Sequence, residues 1–306
     1  MLDQVLKSYL EHICGASNVR ENEPMSAHTT FKIGGPARFF ITVQSKQTLL
    51  KLVSALNYIE YPYRVIGGGS NLLAPDRGYD GVIIKLGFRE IVENGNFIYA
   101  DAGAPLSALV KFARERDLSG LEFAAGIPGT VGGAIFMNAG AHGGAISDVV
   151  TMVDVLRDGQ IVSLDTRACK FAYRTSVFQR KRNWVILGTY FFLYSRPLAE
   201  VPPRTNQPKE PNAGSVFKNP IFVSSSKNCV SPPLRKGECI SAGKLIDQLG
   251  LKGFVVGGAA ISERHANFII NKGFATARDV RALVKLVKTK VRVAYGINLK
   301  TEIEFL

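Results

Sequence analysis

Between Gly126 and Ala141 the chain reads GIPGTVGGAIFMNAGA, with glycines at 126, 129, 132, 133 and 140 and no charged side chain. Glycine costs backbone entropy wherever it is held, so a cluster this dense needs a reason. The reason that fits is close approach of bare main chain to something flat or anionic, with N–H groups aimed at it. A second stretch of the same kind lies upstream, VIGGGSNLL from Val65 to Leu73, directly after the short extended run Tyr63–Ile66. Neither string is the GxGxxG of dinucleotide folds or the GxxxxGK[ST] of P-loops. Two such loops suit a ligand with a diphosphate and a large ring system, held from two sides. A pair of tight turns in a β-rich domain is the competing explanation.

At 306 residues the chain has room for about two domains. A proline-rich polar stretch, Ser195–Pro211, has linker chemistry. It divides a region 1–196, with a core from about residue 30, from a C-terminal domain 212–306, leaving 197–211 as the linker. A second patch rich in proline and serine, Val223–Cys239, reads as an exposed loop. Lys and Arg outnumber Asp and Glu, 38 to 25, for a net charge of +13. The cations are spread along the chain without a zinc-finger spacing, an aromatic RNA-binding motif or a basic tail. A small substrate with several negative charges therefore fits better than a nucleic acid. The cysteines Cys14, Cys169, Cys229 and Cys239 form no CxxC pair and have no histidine at metal spacing, so free thiols and no metal are expected. The N-terminal stretch carries acids inside its apolar pattern and reads as an amphipathic helix, not a signal peptide. The longest apolar run, Trp184–Tyr194, is well short of the roughly 20 residues that span a bilayer. A cytoplasmic protein without membrane insertion is the expectation.

Elements follow from periodicity. Ser45 caps a helix with Leu49, Leu52, Val53 and Leu56 on one face. Strands are expected at Arg38–Val43, Tyr63–Ile66, Val82–Leu86, Phe97–Asp101, Met152–Leu156, Gln160–Leu164 and Trp184–Leu193. Asp158-Gly159 is a hairpin turn. A helix with Leu106, Leu109, Val110 and Ala113 inward is expected to stop at Gly120. Thr276 with Asp279 resembles a capping box, opening a long helix with a Val280–Val291 buried stripe, basic on its outer side. The strand LKTEIEFL ends the chain.

Three strings could carry chemistry. In FAYRTSVF, Arg174 offers a fixed fork for a carboxylate, or is a surface arginine on a turn. In NAGSVFKNP, Ser215 lacks the G-x-S-x-G elbow of an acyl nucleophile and remains either a proton donor or a turn serine. In LKTEIEFL, Glu302 and Glu304 share one strand face, and the spacing does not choose between them. His142 and His265 read as structural hydrogen bonders.

Taken together and in order, HTTFKIGGPA, VIGGGSNLL, GIPGTVGGAIFMNAGA, FAYRTSVF, AGSVFKNP, AGKLIDQLGLKG, HANFIIN and LKTEIEFL resemble the UDP-N-acetylenolpyruvoylglucosamine reductase family, also called UDP-N-acetylmuramate dehydrogenases. The resemblance runs from about Thr29 to the C-terminus. It implies an α+β chain: an FAD-binding fold of the vanillyl-alcohol oxidase/PCMH type plus a C-terminal α+β substrate-binding domain. The chain is similar to the shorter type of the family, which lacks an extra tyrosine-bearing loop. Non-covalent FAD, NADPH as co-substrate, UDP-N-acetylglucosamine enolpyruvate as substrate and a monomeric state are implied. Ile66, Gly67, Gly68, Gly69, Ser70, Asn71 and Leu72, with Gly126, Pro128, Gly129, Gly132, Gly133, Asn138 and Gly140, would bind FAD. Arg174, Ser215 and Glu302 would be catalytic, the family settling the choice between the two glutamates. Tyr173, Lys218, Asn219 and Gln248 would contact substrate. In the implied reaction, hydride reaches C3 of the enol ether from the flavin, Arg174 and a protonated Glu302 steady the charge at C2, and Ser215 protonates C2. The loop Val223–Cys239 is longer than the family's connector there, so no residue inside it carries over. A flavin oxidase of the same fold is the alternative, and AGSVFKNP argues against it.

Overall fold

A computed structural model describes residues 2–197, 199–200, 207–221, 237 and 239–306. The linker positions 198 and 201–206, and all of the expected loop Val223–Cys239 except residues 237 and 239, lie outside the described residues. The chain divides into two units. One comprises Met1–Glu23, Ala37–Gly68 and Asp80–Pro203, the other Pro24–Pro36, Gly69–Tyr79 and Arg204–Leu306. Two upstream excursions, 24–36 and 69–79, therefore belong with the C-terminal residues, which no linker composition announces.

Among the described residues the first unit holds two large sheets and two two-stranded ones. One large sheet has the order Val19–Pro24, Pro36–Val43, Tyr79–Leu86, Tyr63–Ile66, with the last two strands parallel. Helices α1 (Leu2–Cys14) and α2 (Lys46–Tyr58) belong to this unit. Ser45 Oγ accepts from the Thr48 N–H at 3.1 Å to start α2, and Leu49, Leu52, Val53 and Leu56 are buried, as expected. The other sheet is antiparallel, in the order Gln160–Asp165, Val150–Arg157, Val185–Phe192, Phe97–Asp101, Ile91–Asn94. Where Phe97–Asp101 meets the end of Val185–Phe192 the burial alternates, with Ile98, Ala100 and Phe191 buried and Phe97 and Tyr190 exposed, as on a sheet with one wet face, whereas Val185–Thr189 is buried throughout. Asp158 and Gly159 both take positive φ, 50° and 78°, which makes the hairpin turn.

Helix α3 (Leu106–Arg114) buries Leu106, Leu109, Val110 and Ala113, but it ends earlier than Gly120. The chain leaves it through Glu115 and turns at Asp117, φ 53°, so Asp117 supplies the left-handed residue that Gly120 was expected to provide. Helix α4 (Val131–Met137) is capped by Thr130 and closed by Asn138 in the left-handed region, and a single turn, α5 (Thr166–Cys169), follows the hairpin.

In the second unit a sheet runs Asn212–Ser215, Phe268–Asn271, Ala259–Ile261, Val255–Val256, all antiparallel. Helix α6 (Ala242–Gln248) is capped by Ser241, and α7 (Ala277–Tyr295) by the Thr276–Asp279 box. Asp76 adds its carboxylate to the same helix start, accepting from Ala277 N–H at 2.7 Å and Arg278 N–H at 3.0 Å. Val280, Leu283, Val284, Val287 and Val291 face the core, and Gly296 closes the helix. The closing strand is shorter than LKTEIEFL suggests: only Glu304–Phe305 pair, in parallel, with Leu72–Leu73. The reason is a change of partner. The Glu302 N–H goes to Val216 O at 2.8 Å, whereas the Glu304 N–H goes to Asn71 O at 2.9 Å.

Candidate active site

The two glycine stretches meet inside the first unit, side by side. A Cβ placed on Gly67 would lie 2.6 Å from Thr130 Oγ1, and one on Gly68 would lie 3.1 Å from Gly129 Cα. Glycine at these positions lets Gly67 rest against the Thr130 side chain and Gly68 against the main chain of Gly129. Gly126 and Gly129 take positive φ, 74° and 119°. Pro128 is exposed, Ile66 is buried, and Gly132 abuts Ala102, where a Cβ would stand 2.9 Å from the alanine methyl. The first stretch is divided: Gly69, Ser70, Asn71 and Leu72 belong to the second unit. There Gly69 O accepts from the Thr30 N–H at 3.2 Å, and Asn71 Nδ2 donates to Glu302 O at 3.0 Å.

Arg174 sits on a turn held against the end of α4. Ala172 and Thr175 bridge each other across it. Arg174 has φ 51°, a strained value for a side chain that is not glycine. Its Nη2 donates to Gly140 O at 2.6 Å, and its guanidinium lies 5.3 Å from the ring centre of Tyr173, which is exposed. Both polar atoms of the buried Asn138 amide are used: Nδ2 donates to Ala172 O at 2.9 Å and Oδ1 accepts from Ser147 N–H at 3.1 Å. Gln179 Nε2 donates to Arg174 O at 3.0 Å and Phe136 O at 3.2 Å, and Ser176 Oγ donates to Phe136 O at 2.6 Å. Asn138 and Gly140, expected as cofactor contacts, thus both touch the Arg174 turn. Gln179 was not singled out by sequence at all.

In the second unit, Ser215 ends a strand that pairs irregularly with Phe268–Asn271. Gly214, at φ 75° and open on the side a Cβ would occupy, bends the chain just before it. The segment after Ser215 runs beside the chain end: Glu302 N–H to Val216 O at 2.8 Å, Phe217 bridged to Thr301, and Lys218 N–H to Lys300 O at 3.0 Å. Ser215, Lys218 and Glu302, drawn from opposite ends of the domain sequence, therefore share adjacent main-chain segments, and all three are half-buried. Asn219 Oδ1 caps α6 by accepting from the Ala242 N–H at 3.0 Å, and Gln248 lies exposed at the end of that helix. His265 Nδ1 accepts from the Asn267 N–H at 3.1 Å, and burial lowers its pKa. His142 is an exposed turn residue at φ 51°. Cys14 and Cys169 are buried thiols pushed up to about 11 and about 12 by loss of hydration, which leaves them unreactive at neutral pH. Among the described residues no His, Cys, Asp and Glu side chains cluster as metal ligands would, and no helix is long and apolar enough to cross a membrane.

Two family models match. An FAD-binding domain covers residues 37–165, and the C-terminal domain of UDP-N-acetylenolpyruvoylglucosamine reductase covers 207–306. The first range holds both glycine stretches, and the residues there fit FAD: Gly67 lies against the Thr130 side chain and Gly68 against the main chain of Gly129, and glycine-rich main chain of this kind suits an extended, diphosphate-bearing, planar group. The α+β class read from sequence holds, an FAD-binding fold followed by a C-terminal α+β domain. UDP-N-acetylenolpyruvoylglucosamine reductase of Heliobacterium modesticaldum is 42% identical over 298 residues, covering 94% of this chain and 90% of that protein. The enzyme of the same name from Anoxybacillus flavithermus is 40% identical over 301 residues, covering 94% of each. The crystal structure of UDP-N-acetylenolpyruvylglucosamine reductase from Thermus caldophilus superposes with a TM-score of 0.75 at 34% identity, over 94% of this chain and 99% of that one. Similarity of this degree along nearly the whole sequence, with an FAD-binding domain in place, means that the chain belongs to the UDP-N-acetylenolpyruvoylglucosamine reductase family and is an FAD-dependent oxidoreductase.

Proposed function

We propose that the chain reduces UDP-N-acetylglucosamine enolpyruvate to UDP-N-acetylmuramate, with NADPH as reductant, in the synthesis of peptidoglycan precursors. The observation that carries this reading is the Glu302 N–H to Val216 O hydrogen bond, 2.8 Å, which sets the segment of Ser215 directly beside that of Glu302. FAD, when bound, supplies the hydride that reduces the enolpyruvyl double bond. Ile66–Leu72, with Gly126, Pro128, Gly129, Gly132, Gly133, Asn138 and Gly140, would hold it, Asn138 and Gly140 also bracing the turn of Arg174. Arg174 grips the substrate carboxylate. A preorganised guanidinium opposite developing negative charge is worth most where water is excluded. Glu302 steadies the same charge as it grows at C2, and the Ser215 hydroxyl gives C2 its proton. Tyr173, Lys218, Asn219 and Gln248 bind the rest of the substrate. In this reading residues 1–196 form the FAD-binding region and 212–306 the substrate-binding domain of a monomeric cytoplasmic enzyme. A substrate bearing a diphosphate and a carboxylate also suits a chain of net charge +13.

Stopped-flow measurement of the two half-reactions tests the assignment. Ser215→Ala is expected to leave flavin reduction by NADPH within about twofold, and to slow reoxidation by the enolpyruvyl substrate by roughly 10²–10⁴-fold, the usual worth of a positioned proton donor. Equal loss in both half-reactions, or none in the second, removes Ser215 from the chemistry. Replacing NADPH by NADH in the first half-reaction tests the reductant.

A further inference from the structure

We propose that Asn267 is the positioning residue that holds Ser215 in register with Glu302; this rests on the reading of Ser215 as the proton donor. The strand ladder on one side of Ser215 is weak. Asn212–Ser215 pairs with its neighbour only at Asn212↔Ile270 and Ser215↔Phe268, with an irregularity between, and Gly214 bends through φ 75° in that gap. What fixes the chain after Ser215 is Asn267. Its own carbonyl accepts from the Val216 N–H at 2.8 Å. Its side chain then pairs with both main-chain groups of the next residue: Oδ1 accepts from the Phe217 N–H at 3.0 Å, and Nδ2 donates to Phe217 O at 2.9 Å. The amide thus imitates a strand neighbour where the sheet provides none. Asn267 is 4% exposed and Phe217 2%, so water is a poor substitute for these bonds. On the opposite side the same short segment receives the chain end, through Glu302 N–H to Val216 O and Lys218 N–H to Lys300 O. One buried amide therefore sets where Ser215 and Glu302 stand relative to each other, without touching substrate.

The chemistry of the amide gives the test. Asn267→Ala removes both bonds to Phe217. Asn267→Asp keeps the acceptor but sets a second carboxylate oxygen against the Phe217 carbonyl, and only the protonated acid restores both bonds. The titratable side chain bonded to this residue is His265, through the Asn267 N–H; Glu302 and Lys218 lie on the segments it aligns. The wild-type pH profile serves as the control for all three. Half-reactions are measured by stopped flow on the flavin-loaded proteins, together with FAD content and melting temperature. Both variants are expected to retain FAD and to be reduced by NADPH within about twofold of wild type. Reoxidation by the enolpyruvyl substrate is expected to slow by roughly 10²-fold at pH 8, the effect of a small misplacement of a reacting group. In Asn267→Asp, but not in Asn267→Ala, about tenfold should return by pH 6 relative to wild type. The Ser215→Ala/Asn267→Ala double variant should be no slower than Ser215→Ala, because a residue that acts through Ser215 has nothing left to position. Additive losses in the double variant, losses shared by both half-reactions, or an Asp variant without recovery overturn the proposal. Normal reoxidation in Ser215→Ala overturns instead the proton-donor reading on which it rests. If Asn267→Ala fails to fold, the Asp variant alone decides through its pH profile.

Discussion

Arg174 and His265 illustrate two ways in which a single side chain is constrained. Arg174 is held by others: Gln179 takes its carbonyl, Asn138 takes that of Ala172, and the guanidinium itself reaches Gly140 O, so a strained φ of 51° is enforced from several directions. His265 is a holder, with Nδ1 committed to the Asn267 N–H and the ring edge-on to Phe268 at 4.9 Å. Burial lowers its pKa, so the folded state disfavours the imidazolium. The unfolded chain protonates it at about 6.5. Its contribution to stability is therefore present above about pH 6.5 and is lost as pH falls through that value towards the lower folded one. Melting curves between pH 8 and pH 5 should show wild type losing stability more steeply than His265→Gln; parallel curves would mean that the imidazole titrates alike in both states. Sequence drew attention to Arg174, Ser215 and the Glu302/Glu304 pair because a charged or hydroxyl group in an unusual setting stands out, and the family resemblance chose among their readings. It did not single out Gln179 or Asn267. An amide's role lies in which distant peptide it pairs with, and HANFIIN carries no trace of Phe217.

The helices and strands were legible where their signals are local. Ser45 and the Thr276–Asp279 pair each cap the helix that follows, and the apolar stripes of α2, α3 and α7 are the buried ones. What was not legible is non-local: the two glycine stretches, read as holding one ligand, also rest on each other at Gly68 and Gly129. A buried ion pair escaped notice for the same reason. Lys46, the first residue of α2, reaches the strand Phe97–Asp101, with Nζ 2.8 Å from Asp101 Oδ1 and 2.7 Å from the Tyr99 hydroxyl. Burial pulls the Lys46 ammonium down, but Asp101 and Tyr99 more than offset this and its pKa is raised. Burial also drives the Tyr99 phenol up to about 12. The pair ties a helix of one sheet to a strand of the other. Lys46→Met would leave the Asp101 carboxylate, 3% exposed, without its cation. Because Lys46 itself is about a third exposed, the expected loss is toward the low end for buried pairs, about 2–3 kcal/mol in urea unfolding. A loss under about 0.5 kcal/mol would mark the pair as no more than a surface contact.

The described residues carry two apolar cores, one in each unit. One gathers Phe39, Leu52, Ile84, Leu109, Ile135, Val155 and Phe191 in the first unit, the other Phe31, Phe217, Leu245, Leu283 and Val287 in the second. Two cores need not melt as one, so ligand effects should be followed with a probe confined to one of them. The sequence provides it: its one tryptophan, Trp184, lies in the first unit and is packed against that unit's core. The FAD-binding domain match, 37–165, falls mostly within the same unit. A ligand that binds only the folded state stabilises by mass action, about 2.7 kcal/mol when present at 100 times its dissociation constant. For a unit of this size that corresponds to a rise of roughly 5–10 °C. Trp184 fluorescence should therefore report a melting temperature higher by that amount in flavin-saturated protein than in protein stripped of flavin, with riboflavin, which lacks the diphosphate, giving little of the rise. The comparison separates the parts of the cofactor. A main-chain surface that recognises the diphosphate predicts FAD well above riboflavin; equal shifts would place the recognition on the ring alone, and no shift with either would remove FAD from the first unit.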